Sequence, residues 1–251
     1  MERARRAPVG TFYAPGDWRS GDRVELDAAA AHHASVKRIV EGDVVRLTNG
    51  AGRRASGVVD SVSRRSCAVS LSDEAIEEVD PPAHIELLAP VGDRDRMLML
   101  AEKSVELGLS SWRPIVYGRS RSVSPRGEGE AFREKLRLRQ ISALEQSGGA
   151  WLPDVHAELP LDTALATINA VAPATRIVLD VDGESIGDIA AELRGRAVVA
   201  LGPEGGLEEH ERAALITHGW RPVSLGHNVL RFETAGIAAL AILRALSPTA
   251  Q

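Results

Sequence analysis

The chain is 251 residues long and 44% hydrophobic, enough apolar material to bury a core and to make two domains. A formal net charge of −5 excludes the overall basicity of a protein that coats nucleic acid, and a single cysteine, Cys67, excludes an intrachain disulfide and a multi-cysteine zinc site. The basic start MERARRAPVG precedes no apolar signal segment, no apolar run reaches membrane-span length, and the histidines lack metal-ligand spacing, so a cytoplasmic protein without membrane or metal is expected.

In chain order, residues 11–80 read as a small β domain. Alternating apolar runs at 23–26, 44–48, 55–62 and 67–71 are punctuated by Gly21, Gly42, Asn49-Gly50 and Gly52. One short helix, 28–38, interrupts them, and its exposed end carries Lys37 and Arg38 beside His32 and His33. Arg53, Arg54, Arg64 and Arg65 flank the expected turns. Such cations are either a solvated surface or contacts for an RNA backbone. The acidic stretch 73–80, ending at Pro81-Pro82, predicts a stiff polar connector and divides the chain into residues 1–80 and 81–251.

The second part opens with a buried strand, 84–90, and a helix from Asp93 to Leu107 closed by Gly108, with Met97, Leu100, Ala101, Ser104 and Val105 on one face. A strand at 114–117 follows. Between Arg113 and Arg139 basic residues outnumber acidic ones, and Arg119, Arg121 and Arg126 lie on a Ser/Pro/Gly loop from which flexible cations reach phosphates. Then come a long helix ending near Ser147, a helix at 161–171, a strand at 176–179 and an acidic loop at 180–183.

Residues 197–239 organise the rest. An apolar run, 198–201, stops at Gly-Pro-Glu-Gly-Gly, and Leu207, Ala214, Leu215 and His218 then recur at helical spacing, with Glu208, Glu209 and Glu211 in the first turn and Gly219 as C-terminal cap. A second strand, 222–225, a loop, 226–231, and an apolar helix, 234–246, follow. Two strand–loop–helix units imply parallel strands with both loops at one carboxyl edge, where open α/β sheets bind ligands. Glu204 and the three glutamates after it repel phosphates, so the loops suit a neutral or cationic adenosine derivative held by backbone groups of Leu201, Gly202, Leu225 and Leu230. Alternatively, Gly202, Gly205 and Gly206 only shape a tight turn.

The loops LGPEGGLEEHE (201–211) and LGHNVLRFETA (225–235) closely resemble those of the RsmE family of 16S ribosomal RNA uracil-N3 methyltransferases, in the SPOUT class; EKSVELG (102–108), Arg119-Ser120 and EQSGGAWLP (145–153) fall in the family's order and spacing. The resemblance implies an α/β fold: a C-terminal SPOUT trefoil-knot domain behind an N-terminal PUA-like β-barrel. It also implies a homodimer, S-adenosyl-L-methionine as cofactor, and 16S ribosomal RNA, within the small ribosomal subunit, as partner. Carried over, the cofactor residues are Leu179, Leu201, Gly202, Glu204, Gly205, Gly206, Leu225, Gly226, Val229 and Leu230, and the RNA contacts are Lys37, Arg38, Arg119, Arg121 and Arg126. Three positions depart from the pattern: Asn228 replaces a common arginine, Phe232 a threonine, and Gly149 an arginine after the Gln-Ser element.

Methyl transfer to uracil N3 is an in-line displacement in which N3 also loses its proton. Arg231 is the expected stabiliser of the charge that develops on the base, Glu233 its orienting partner, and Thr234 a helix cap or a contact to the base; Glu204 and Glu233 are candidate bases. A ribose 2′-O-methyltransferase of the same class and a non-catalytic RNA-binding protein are the alternatives. The apolar last helix is expected to be buried on more than one side, against the core and a partner subunit.

Overall fold

The computed structural model describes residues 7–72, 76–122, 125–169, 174–193 and 195–247; of Arg121, Ser122 and Asn169 only the backbone is described. Two compact units are formed. The first ends at Pro81 and takes in Ile141–Leu152, and the second comprises Pro82–Gln140 and the chain from Pro153 onward. Segment 141–152 thus lies outside the second unit, where the expected division at residues 80 and 81 places it.

The first unit is a curled sheet of β1 (Thr11–Tyr13), β2 (Arg23–Leu26), β3 (Val44–Thr48), β4 (Arg53–Val62), β5 (Cys67–Leu71) and β6 (Glu77–Glu78), in the order β1-β3-β4-β5-β2 with β6 on β4. Only β1 and β3 are parallel. Phe12, Val45, Leu47, Val59 and Val69 are buried in its core; Phe12, Val45 and Val59 are each flanked along the strand by more exposed residues, as period-two patterning requires. Helix α1 (Ala28–Val36) starts at Asp27, whose carboxylate accepts the Ala30 N–H at 2.8 Å, and stops two residues before the expected end, where Lys37 caps it and Arg38 turns left-handed at φ 58°.

The expected acidic connector is partly a strand. Glu77 and Glu78 lie opposite Arg54 and Arg53, and both pairs are ion-paired, Arg53 to Glu78 at 2.8 Å. Segment 141–152 belongs here because its polar groups are satisfied here. Buried Glu145 accepts the Tyr13 N–H at 2.9 Å and pairs with His33 Nδ1 at 2.8 Å, Thr48 Oγ1 donates to the Gly149 carbonyl at 3.0 Å, and the Trp151 indole donates to Val79 at 3.0 Å. His33 is therefore a structural partner.

The second unit is a wholly parallel sheet. Strands β7 (Ile85–Pro90), β8 (Ser111–Val116), β9 (Asp154–Val155), β10 (Leu159–Pro160), β11 (Thr175–Ser185), β12 (Ala197–Ala200) and β13 (Arg221–Ser224) follow the order β10-β8-β7-β12-β11-β13, with β9 also on β8. Central β7 and β12 are buried along their whole length, which explains why they read as continuous apolar runs. Leu87, Ile177 and Val199 face a core completed by α2 (Arg94–Glu106), α3 (Glu130–Ser147) and α6 (Phe232–Leu246). Leu88, Val178 and Val198 face one completed by α4 (Leu161–Asn169) and α5 (Glu209–Thr217). The expected end of α4 at residue 171 lies outside the described residues.

From edge strand β13, α6 returns to the middle of the sheet, against α2, β7 and the 3-10 turn Ala190–Leu193 between β11 and β12. It begins two residues earlier than expected, with Arg231 at the N-cap, so Thr234 is an exposed first-turn residue and does not cap the helix. At its other end Arg244 donates to the carbonyls of Leu107 (3.0 Å), Ala83 (2.6 Å) and Gly108, covering the carboxyl end of α2. Burial lowers the Arg244 pKa, yet the guanidinium stays charged. Arg244→Met leaves these carbonyls unsatisfied and is expected to cost about 3 kcal/mol of stability, measured by urea denaturation; a loss under about 0.5 kcal/mol would show that the cap is dispensable.

Candidate active site

All strands of the second unit run the same way, so the turns after β7, β8, β11, β12 and β13 open at one edge. Leu201 is buried and its N–H is bonded to Leu88 at 3.0 Å, whereas the N–H groups of Gly202, Glu204 and Gly205 have no partner among the described residues. Gly206, at φ 74°, closes the turn with a bond to Pro203. Glu211 lies in the first turn of α5, as expected. It is buried, and its carboxylate accepts the Glu208 N–H at 2.8 Å and the Gly118 N–H at 2.7 Å, tying α5 to the turn after β8.

Glu204 reaches across to the start of α2, where it accepts the Asp93 N–H at 3.0 Å. Gly92 makes this approach possible: a Cβ there would lie 3.0 Å from both Glu204 carboxylate oxygens and 3.2 Å from the Phe232 ring. The Phe232 departure thus fills the space above Gly92, and its side chain is buried in the core. Glu233 is buried as well, but it does not orient Arg231. Residues two apart on a helix diverge, and no ion pair joins them among the described residues. Among the described residues the cation within ion-pair distance of Glu233 is Arg96, with Nε 4.0 Å from Oε1, while Oε2 is buried without a hydrogen-bond partner. Nothing in the spacing of the chain singles out Arg96, because only the fold brings α2 beside the last loop. Arg231 is exposed at the head of α6, whose N-terminus has no side-chain cap.

The expected strand 176–179 and loop 180–183 are one longer strand, β11, with a register break: Leu179 and Glu184 both sit opposite Val223. Three ion pairs hold the break. Arg212 donates to Asp180 at 2.9 Å, and Arg221 grips Glu184 (2.8 and 2.9 Å) and Glu192. Burial acts to raise the Asp180 pKa, but the Arg212 guanidinium and the Asp182 N–H together hold the carboxyl below its usual value. Leu179 and Leu225 lean on the core. Gly226, at φ 147°, is followed by a fully exposed stretch in which Val229 is 84% and Leu230 38% exposed.

The residues expected to contact RNA fall in different settings. Lys37 and Arg38 are exposed on the first unit. Arg119 lies over the glycine loop and donates to the Gly205 carbonyl, which fits a loop-bracing role, and Ser120 is buried, with its hydroxyl accepting the Tyr117 N–H at 3.3 Å. Arg126 pairs with Glu128 at 3.0 and 2.5 Å. The Arg121 side chain lies outside the described residues.

Residues 79–244 match the model of an RNA methyltransferase domain and residues 26–72 that of an RNA methyltransferase PUA domain. The protein is thus an RNA methyltransferase of α/β fold, a SPOUT domain behind a PUA-like one. Similar proteins include Ribosomal RNA small subunit methyltransferase E of Mycobacterium bovis, 31% identical over 86% of this chain and 83% of that protein, and of Synechocystis sp., 27% identical over 89% and 73%. Among solved structures, the methyltransferase E of Neisseria gonorrhoeae bound to S-adenosyl methionine aligns at TM-score 0.83 and 27% identity, covering 95% of this chain and 98% of that one. A Legionella pneumophila methyltransferase in complex with SAM aligns at 0.83 and 26%, covering 96% and 99%. This chain belongs to the ribosomal RNA small subunit methyltransferase E family, RsmE.

Two glycines separate packing from conformational need. A Cβ at Gly183 would lie 2.4 Å from the Val223 nitrogen, while one at Gly205 would meet only the flexible Arg119 side chain, at 3.1 Å. Gly183→Ala is expected to cost about 3 kcal/mol in urea denaturation and Gly205→Ala less than about 1 kcal/mol; equal losses would contradict the close contact of the break with β13.

Proposed function

We propose that this protein methylates N3 of a uridine in 16S ribosomal RNA, using S-adenosyl-L-methionine. The observation that carries the reading is the pairing, at one edge, of a glycine loop with free N–H groups, acidic and lacking lysine, and an uncapped helix start bearing Arg231. A bound nucleotide phosphate is disfavoured there by Glu204 and Glu208, whereas a sulfonium and its ammonium are favoured. The residues present fit the cofactor. Backbone groups of Leu201, Gly202, Gly205, Gly206, Leu225, Gly226 and Leu230 would hold it, with Leu179 and Val229 supplying apolar contact and Glu204 negative charge. When bound, it supplies a methyl group on a sulfonium leaving group.

The chain's own part is to place the base and stabilise charge. Arg231, exposed at the positive end of α6, would face the uracil O2 and O4 as N3 is deprotonated, and the N–H groups of the first turn of α6 add to the same field. Thr234, exposed in that turn, would hydrogen-bond the base. Glu233 acts beneath them from a buried position. Lys37 and Arg38, with Arg119, Arg121 and Arg126 in the second unit, would meet RNA phosphates, and the target base must be exposed or flipped to enter. A second copy of the chain would cover the outer face of α6, where Ala241 and Ala245 are exposed. No described helix is long and apolar enough to cross a membrane, and the cytoplasm is the proposed location.

Isothermal titration should show binding of S-adenosylmethionine and none of ATP, and digested small-subunit RNA should carry the new methyl on uracil N3. A methyl on ribose would replace this reading by the 2′-O alternative, and silence toward the cofactor with RNA present would overturn it. Arg231→Ala is expected to lower kcat about 100-fold while cofactor affinity stays within about twofold. Parallel loss of both would place Arg231 in cofactor binding instead.

A further inference from the structure

We propose that Arg96 is a positioning residue of the methyl-transfer site, holding Glu204 and Glu233 in register so that the glycine loop and the first turn of α6 act as one unit. This inference rests on the methyltransferase reading above. Three turns meet around Arg96. Its own helix begins at Asp93, whose N–H is held by Glu204 at 3.0 Å; its Nη1 lies 4.0 Å from Glu204 Oε1, and its Nε lies 4.0 Å from Glu233 Oε1. No other cation forms an ion pair with either carboxylate among the described residues.

The burial of Glu233 makes this arrangement consequential. Its side chain is 7% exposed and its Oε2 has no hydrogen-bond partner, so the guanidinium 4.0 Å from Oε1 is the charged group that faces it among the described residues. Glu233 stands two residues after Arg231, in the turn that aims the exposed guanidinium, while Glu204 stands inside the loop assigned to the cofactor. A planar cation between the two carboxylates couples the methyl-donor side of the site to the base side, and Gly92 and Phe232 close the same junction sterically. Both distances exceed hydrogen-bond length, so the coupling is one of charge, which a lysine also supplies.

The test compares wild type, Arg96→Met, Arg96→Lys, Glu233→Gln and the Arg96→Met/Glu233→Gln double variant. It measures methyl transfer to small-subunit RNA, affinity for S-adenosylmethionine, and amide hydrogen exchange at residues 202–206 and 232–235. Arg96→Met is expected to lower kcat about 30-fold, with KM for RNA and cofactor affinity within about threefold. Arg96→Lys should recover activity to within about threefold of wild type. In the Glu233→Gln background, Arg96→Met should cost less than about threefold more. Exchange should quicken in both segments with Arg96→Met and return with Arg96→Lys. Wild-type kcat in Arg96→Met, a lysine variant no better than methionine, or additive losses would overturn the proposal. If wild type itself moves no methyl to RNA, the methyltransferase reading fails, and exchange alone decides the role of Arg96: unchanged exchange in either segment refutes it.

Discussion

The return of α6 from the edge of the parallel sheet to its centre is the constraint on which the second unit depends. It requires a helix to lie close against α2 and β7, and Gly236 provides the approach, since a Cβ there would fall 2.8 Å from Leu100 and 3.0 Å from Leu201, the residue after β12. Leu240 and Leu243 continue the contact into the core, and Arg244 finishes it by covering the carbonyls at the end of α2. A final helix laid over its own neighbouring strand would leave its first turn far from β7. Because α6 crosses back, Phe232 and Glu233 arrive beside Gly92 and Arg96, and the last loop joins the turns after β7 and β12.

The electrostatics follow from that crossing. Two carboxylates from separate loops converge on one guanidinium, and the more buried of them keeps an oxygen without a partner. A third, Glu211, is buried but fully engaged by two backbone N–H groups, so it serves the loop geometry instead of the ligand. Around the far loop, Arg212 and Arg221 hold the break in β11 through exposed and half-exposed pairs, each of small worth to stability; their value is in fixing where Leu179 and the returning strand lie. The edge thus divides into a braced part around the glycine loop and the β11 break and an exposed segment carrying Val229, Leu230 and Arg231.

Much of this was legible in the chain, because local rules governed it. The bounds of strands 23–26, 44–48 and 67–71 match residue for residue, and α2 runs between the Asp93 cap and Leu107 as the capping residues and Gly108 indicated. The errors fall where distant groups intervene. Acidic residues 77–78 read as a linker because their partners, Arg53 and Arg54, are more than twenty positions away. His33 read as surface charge because Glu145 lies 112 residues further on.

By itself the sequence determined the parallel α/β character of the second unit, the positions of its turns, the glycines that shape them and the family to which the loops belong, since these depend on residue types at short spacing. Tertiary structure alone decided that segment 141–152 joins the first unit, that Glu233 faces Arg96 and not Arg231, and that Arg231 stands at the N-cap position of the last helix without capping it. The physical reason is that burial and charge pairing act between groups far apart in the chain, so their outcome is set only when packing has chosen which faces meet.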